Sequence, residues 1–522
     1  MEHKDLHRPL YTADVLANAL NNGRDLPLLH RLDGPTLTVA QVRDQTSQFV
    51  QALASLGVGA GSRVSLIAPN IPECLHVTHA LQMLAALYVP MHPLSALPDH
   101  VHVIRDAEVE ILIFDAERFE GRAAEIAREI PGLRLLAIGE STLGDDIWNL
   151  ASGFKPAPLT PPVVGPHDIT RLGYSGGTTG KPKAIPSVQR IGALTGLYMQ
   201  ADWEWPAPPH ILSCAPLTHA GGAMFIPALL RGGTFLILPR FDPTQVLEMI
   251  QERRINCMML VPTMIYALLD HPRFGEFDLS SLEAVYYGAS TILPARLEEA
   301  IERIGPVFFQ FYGQSEAPMT VTVLRRAEHD THSPTRLASC GRPVPWVRVA
   351  LLDAAGCAVP DGQPGEICVR GPLLMSGYLG RPELTGEAFA GGWLHSGDVA
   401  VRDPDGFLRI VDRSKDMIAV GGFKVFPSEV EAVLLENRAI KEVLVIGVPD
   451  AYRGESPRAY VVLHPGSTAT AEQLADWLND RVGKHERVDR VVMRESLPKT
   501  MVGKLDRKAL REELAAENEP AG

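Results

Sequence analysis

The segment Tyr174-Ser175-Gly176-Gly177-Thr178-Thr179-Gly180-Lys181-Pro182-Lys183 places three glycines, one serine, two threonines and two lysines in ten consecutive residues. That composition suits a polyphosphate. Glycines let backbone N–H groups approach phosphate oxygens, the hydroxyls of Ser175, Thr178 and Thr179 donate further hydrogen bonds, and Lys181 and Lys183 supply positive charge. A flexible surface turn is the plainer alternative. A Walker A loop would require Gly in place of Ser175 and Ser or Thr in place of Pro182, and both positions fail.

Further segments carry chemistry-bearing residues in Gly-rich or turn-like settings: Pro216-Leu217-Thr218-His219, Tyr287-Gly288-Ala289-Ser290, Phe311-Tyr312-Gly313-Gln314-Ser315-Glu316, His395-Ser396-Gly397-Asp398, Val411-Asp412-Arg413-Ser414-Lys415-Asp416 and Pro498-Lys499-Thr500-Met501-Val502-Gly503-Lys504. The first loop has the form [ST]-[SG]-G-[ST]-T-G-x-P-K. On it, and on these segments in their order and spacing, the chain resembles the adenylate-forming superfamily of acyl-CoA synthetases, peptide-synthetase adenylation domains and luciferases. The resemblance spans nearly the whole sequence, apart from the first few dozen residues and the tail.

The resemblance implies ATP, Mg²⁺ and CoA. It assigns the nucleotide to Ser175, Gly176, Gly177, Thr178, Thr179, Gly180 and Lys183, to Gly288, Ala289 and Ser290, to Tyr312, Gly313, Gln314 and Ser315, and to Asp398, Arg413 and Lys504. The individual roles are those the resemblance implies, each with the chemistry that suits it. Glu316 is a hard oxygen ligand for Mg²⁺ beside the ATP phosphates, with Thr178 as its companion. Asp398 offers two acceptor oxygens to the two ribose hydroxyls, Arg413 donates to the same sugar, and Tyr312 is expected to stack on adenine. Lys504 brings an ammonium to the carboxylate and α-phosphate oxygens, where charge is redistributed in the transition state. His219 is either a gating residue beside the acyl pocket or a packed structural histidine; a carboxylate nucleophile is already ionised at neutral pH and needs no general base.

By the same resemblance, Asp412 is the hinge about which a small domain pivots, and Gly421-Gly422 borders the channel that admits the CoA thiol. A Gly-Gly hairpin with no ligand is the competing reading of that pair. The segment from His219 to Phe225 is expected to open the helix lining the acyl pocket. Its small residues fit an apolar acyl chain and close helix packing equally well. Ala220 stands where hydroxybenzoate-activating relatives carry Asn, which points away from such acids. The implied reaction is ATP-dependent conversion of an apolar carboxylic acid to an acyl adenylate, with release of pyrophosphate, followed by transfer to CoA. A ligase loading the phosphopantetheine of a carrier protein is the first alternative, a nucleotide-binding homologue without catalysis the second, and a luciferase-like oxidation is conceivable on the same fold.

Behind these residues, the pattern of elements is that of an α/β protein. Short apolar runs at Val64–Ala68, Ile111–Phe114, Phe235–Leu238, Met258–Val261, Ala284–Tyr287 and Val307–Phe311 read as buried strands, and Val39 to Val58 has helical spacing. Strands alternating with helices imply parallel-rich sheets. Near Leu352 closely spaced strands with Gly and Pro turns indicate an antiparallel subdomain. The expected organisation is a large domain over residues 1–412 and a small mobile α+β domain over 413–522, in which Ser428–Glu431 and Thr470–Gln473 have the form of capping boxes.

Composition excludes several classes. At 522 residues, with 46% hydrophobic and 21% charged residues, the chain has the makeup of a globular protein of two or more domains. A formal charge of -13 argues against a nucleic-acid partner. Six cysteines without CxxC spacing suggest unpaired thiols in a reducing compartment and no structural zinc. Neither an N-terminal leader nor an apolar run of roughly 18 residues is evident, so a cytoplasmic location without an integral membrane segment is expected. These residues do not fix an oligomeric state; a homodimer is one option.

Overall fold

Strands with apolar residues at successive positions must be covered on both faces, and the computed structural model shows how. It describes residues 9–23, 25–32, 34–174, 182–218, 220–421, 423–450, 452–499 and 505–518. Arg63–Ile67, Leu87–Pro90, Ile111–Asp115 and Arg134–Ile138 run parallel in a seven-stranded sheet. Alternate residues leave opposite faces. Val64, Leu66, Ile111, Ile113 and Leu136 pack under the helix Val39–Ser55, whereas Ile67, Leu112, Phe114 and Ala137 fill the other side. That helix starts where expected because Thr38 and Gln41 close a capping box: Thr38 Oγ1 accepts from Gln41 N and Gln41 Oε1 accepts from Thr38 N.

One edge of this sheet is the antiparallel pair Ile169–Tyr174 and Ala184–Val188, with Tyr174 opposite Ala184. The Gly-, Thr- and Lys-rich loop is thus the connection of a hairpin. A second sheet has nine strands, with Phe308–Gln314, Ala284–Gly288, Cys257–Leu260, His210–Ser213, Thr234–Ile237 and Pro27–His30 parallel at its centre. Its faces divide in the same way: Ile211, Phe235, Met259, Tyr286 and Phe309 to one cluster, Leu212, Leu236, Met258, Val285 and Phe308 to the other. Each apolar run read from the sequence is a strand of one of these two sheets.

Arg348–Leu352, Pro364–Arg370, Leu394–Arg402 and Leu408–Arg413 form the antiparallel subdomain. After Arg413 the chain enters a five-stranded sheet that begins at Ile418–Val420. Helices Pro427–Leu435 and Ala471–Asn479 pack on one face through Val430, Leu434, Leu474 and Leu478. Thr470 and Gln473 make their capping box. Ser428 and Glu431 do not. Phe426 is the N-cap and Pro427 the first helical residue, the Ser428 hydroxyl donates to the Val411 carbonyl, and Glu431 instead accepts from Arg507 and from Val445 N. Contacts between segments have claimed both side chains. Among the described residues, no helix is long and apolar enough to cross a membrane.

Candidate active site

Two strand ends of the nine-stranded sheet present the first group of predicted residues. Gly288 pairs with Phe311 across neighbouring strands, and a Cβ at Gly288 would overlap the Phe311 carbonyl oxygen, so only glycine fits. The next residue, Ala289, takes a left-handed conformation with φ of 67°, which turns the chain off the sheet towards Ser290. On the adjacent strand the ladder shifts register between Tyr312 and Gln314. A Cβ at Gly313 would stand 2.8 Å from Ala317 O. This crowded turn carries Gln314, Ser315 and Glu316 back into the strand Ala317–Leu324.

The second group comes from the antiparallel subdomain. Asp398 lies opposite Arg413 in the ladder between Leu394–Arg402 and Leu408–Arg413, which places two distant sequence motifs side by side. Arg413 Nε is 3.3 Å from Asp398 Oδ1. The Tyr312 hydroxyl donates to Asp398 Oδ2 at 2.7 Å, and Gln314 Nε2 donates to Ser396 O at 3.3 Å. Tyr312, Gln314, Asp398 and Arg413 therefore converge. Burial raises the Asp398 carboxyl above its ordinary pKa, against the opposing pull of Arg413 and the Tyr312 hydroxyl. Burial and the Asp398 charge raise the Tyr312 phenol, which keeps it a donor.

A third group surrounds Glu316. Its Oε1 accepts from the Tyr378 hydroxyl at 3.0 Å, and its carbonyl accepts from Met375 N at 2.8 Å. Lys183 Nζ, at the end of the loop, lies 5.0 Å from the Tyr378 ring centre, a cation–π contact. Desolvation lowers the Lys415 ammonium, helped by the Arg413 and Lys183 cations and opposed by Asp416 and Asp398. Lys183, Lys415 and Arg413 thus form a positive margin beside the two acidic groups. Neither Tyr378 nor Lys415 is marked as a site residue by its sequence setting alone: Lys415 lies within the segment Val411-Asp412-Arg413-Ser414-Lys415-Asp416, whereas nothing local marks Tyr378.

Asp412 is buried at the junction with the last sheet. Its Oδ1 accepts from Arg413 N and its Oδ2 from Ser428 N, with Arg507 3.9 Å away. Arg507 also pairs with Glu431 at 2.5 Å, and Arg511 with Asp416 at 2.9 Å. Gly421, with φ of 57°, belongs to the two-residue connection between Ile418–Val420 and Phe423–Val425. Ser175, Gly176, Gly177, Thr178, Thr179, Gly180, His219, Gly422 and Lys504 lie outside the described residues. The flanks of the Lys504 segment meet in a bridge between Lys499 and Leu505.

The small residues after position 219 have a local reason. Residues Ala220–Met224 form a 3₁₀ turn and the α-helix begins only at Phe225. A Cβ at Gly221 or Gly222 would run into the carbonyls of Ala215 or Leu217, so these glycines serve the turn rather than clearing space for a ligand. As for magnesium, the donor chemistry fits: Glu316 offers carboxylate oxygens beside Lys183 and the loop end, with one oxygen engaged only by a neutral phenol.

A family model described as AMP-binding enzyme matches residues 16–379, and one described as AMP-binding enzyme C-terminal domain matches 429–504. A medium/long-chain-fatty-acid–CoA ligase, FadD8, of Mycobacterium tuberculosis is 45% identical over 97% of this chain and 90% of its own length. A feruloyl-CoA synthase of an Amycolatopsis species is 36% identical over 91% and 93%. The structure of the amide bond synthetase McbA from Marinactinospora thermotolerans superposes with a TM-score of 0.87 at 31% identity, over 96% of this chain and 99% of that one. With both halves matched and the architecture shared end to end, the chain belongs to the AMP-binding enzyme family.

Proposed function

We propose that this enzyme is an AMP-forming acid–thiol ligase that couples an apolar carboxylic acid to CoA. The observation that carries the reading is the meeting of Tyr312, Asp398 and Arg413 next to the group formed by Glu316, Tyr378 and Lys183, an arrangement whose donors and acceptors suit a sugar and its phosphates. In the first half-reaction a carboxylate oxygen of the acid attacks the α-phosphorus of ATP. The bond to the bridging oxygen breaks, and pyrophosphate leaves. Asp398 and Arg413 fix the ribose, and the loop from Ser175 to Lys183 holds the phosphates. Lys504 stabilises charge on the oxygens around the α-phosphorus. Glu316 and Thr178 would hold Mg²⁺, which when bound would supply charge neutralisation for pyrophosphate as a leaving group.

In the second half-reaction the CoA sulfur attacks the acyl carbon, the C–O bond to AMP breaks, and the thiol proton passes to solvent. Rotation about Asp412 would bring the Gly421-Gly422 turn to the site in place of Lys504. Residues 1–412 and 413–522 then act as the two bodies of the reaction. The fatty-acid ligase relative, at the higher identity, supports a medium- or long-chain acid; the feruloyl relative supports a second reading, an aryl-propenoic acid. Acid-dependent exchange of labelled pyrophosphate into ATP, run across fatty, aryl and alicyclic acids with Mg²⁺, tests the proposal. Exchange driven by one acid class names the substrate, and absence of exchange with every acid defeats the reading.

A further inference from the structure

The antiparallel subdomain holds a group of metal-ligand side chains that the ligase chemistry does not use. Glu366 and Cys368 are two apart on the strand Pro364–Arg370, so they leave the same face, and Cys368 lies directly opposite His395 in the ladder. Cys368 Sγ is 3.5 Å from His395 Nδ1, which is 2.7 Å from Glu366 Oε2. Ligand atoms of all three lie within 4.8 Å of one another. Cys368 is fully buried, whereas the side chains of Glu366 and His395 each keep 23% exposure, which leaves an entry path.

The outer contacts are those that orient metal ligands. Nδ1 of His395 donates its proton to the Glu366 carboxylate, which can only accept, and Nε2 stands 3.2 Å from the Ala390 carbonyl; moving the N–H to Nε2 gives it that carbonyl as partner and frees the Nδ1 lone pair for an ion between Cys368 and Glu366. Glu366 Oε1 accepts from Gly397 N at 2.8 Å, which orients the carboxylate. We propose that Glu366, Cys368 and His395 form a binding site for a divalent ion of the zinc class. Thiolate, imidazole and carboxylate together select Zn²⁺ over Mg²⁺ or Ca²⁺. The sulfur–nitrogen spacing matches the roughly 3.5 Å between two ligands of one tetrahedral ion, and Glu366 swings out by about half an ångström to complete the set. The thiol proton leaves to solvent as sulfur binds, and water takes the fourth position.

The site lies behind the sugar motif. The ladder shifts register between Glu366, which pairs with Val399, and Cys368, which pairs with His395, so Ser396, Gly397 and Asp398 fall in the irregular stretch. An ion that draws on Glu366 loosens its hold on Gly397 and raises the KM for ATP, a consequence that rests on the ribose role of Asp398. The test is titration of the full-length protein with Co²⁺ followed by displacement with Zn²⁺. One equivalent should produce a thiolate-to-cobalt charge-transfer band that Zn²⁺ abolishes, and C368A and H395N, each shown folded by circular dichroism, should lack the band. A wild-type protein without the band, or a band that survives in C368A, overturns the site. Zn²⁺ binding with an unchanged KM for ATP overturns the coupling to Asp398 and leaves the ligase reading intact.

Discussion

The Tyr312 hydroxyl donates to Asp398 at 2.7 Å while Arg413 holds the other oxygen of the same carboxylate at 3.3 Å. Two residues from separate motifs therefore share the carboxylate of a third. Asp398→Asn keeps the shape and removes the charge. Charge-assisted hydrogen bonds contribute about 1.5–3 kcal/mol, so the KM for ATP should rise roughly ten- to a hundredfold with less effect on the KM for the acid. Steady-state kinetics at varied ATP reads the effect, and an unchanged KM for ATP removes Asp398 from the ribose site.

Glu316→Gln should raise the Mg²⁺ concentration needed for half-maximal activity, because an amide oxygen is a weaker ligand for a hard cation than a carboxylate. Tyr378→Phe removes only the neutral donor at 3.0 Å and should shift the Mg²⁺ dependence the other way or leave it in place. Magnesium titrations of both variants decide this. Equal Mg²⁺ dependence in wild type and Glu316→Gln contradicts the metal assignment.

Lys504→Ala should slow adenylate formation by about 3–4 kcal/mol of lost stabilisation, a few hundredfold, yet spare thioester formation from supplied acyl adenylate. A bulky residue at Gly421 should do the reverse. Separate assays of the two half-reactions measure both, and parallel losses in the two variants would rule out exchange of faces about Asp412.

Arg507 joins Glu431 and stands near Asp412, so Arg507→Met strands a carboxylate in a mostly buried setting. Breaking such a pair costs about 3 kcal/mol or more. Hydrogen exchange should accelerate in Pro427–Leu435 and Ile440–Asp450 and stay unchanged in the seven-stranded sheet. Uniform protection throughout would show the pair to be dispensable.

Burial depresses the pKa of His76 to about 3, that of His79 to about 4 and that of His329 to about 4. The unfolded chain then binds protons that the fold does not. Stability from these groups is complete above the unfolded value of 6.5 and falls as pH drops towards 4, by about 1.4 kcal/mol per pH unit for each histidine. Urea unfolding at pH 7, 6 and 5 should show the decline, and His76→Gln should reduce its slope. An identical slope in the variant would mean that His76 is charged in the fold.

The strands were legible because burial on both faces leaves uninterrupted apolar runs such as Ile111–Phe114, and the candidate site segments because glycine and charge cluster within a few residues. Cross-strand and long-range pairings were not. Nothing local ties Tyr378 to Glu316, or sets Cys368 opposite His395, since those contacts follow from register and from a ladder irregularity. Ser428 misled for the same reason. Its capping pattern is sound as sequence, but the Val411 carbonyl and Asp412 take its hydroxyl and its N–H.

In the proposed reaction a carboxylate oxygen of the acid becomes bonded to the α-phosphorus of ATP. Turnover of an acid labelled with ¹⁸O in its carboxylate, in the presence of CoA and Mg²⁺, tests this through the mass of the released nucleotide. AMP carrying one labelled oxygen is expected, together with unlabelled pyrophosphate and the acyl-CoA thioester. Label in inorganic phosphate accompanied by ADP, or AMP without label, would contradict it.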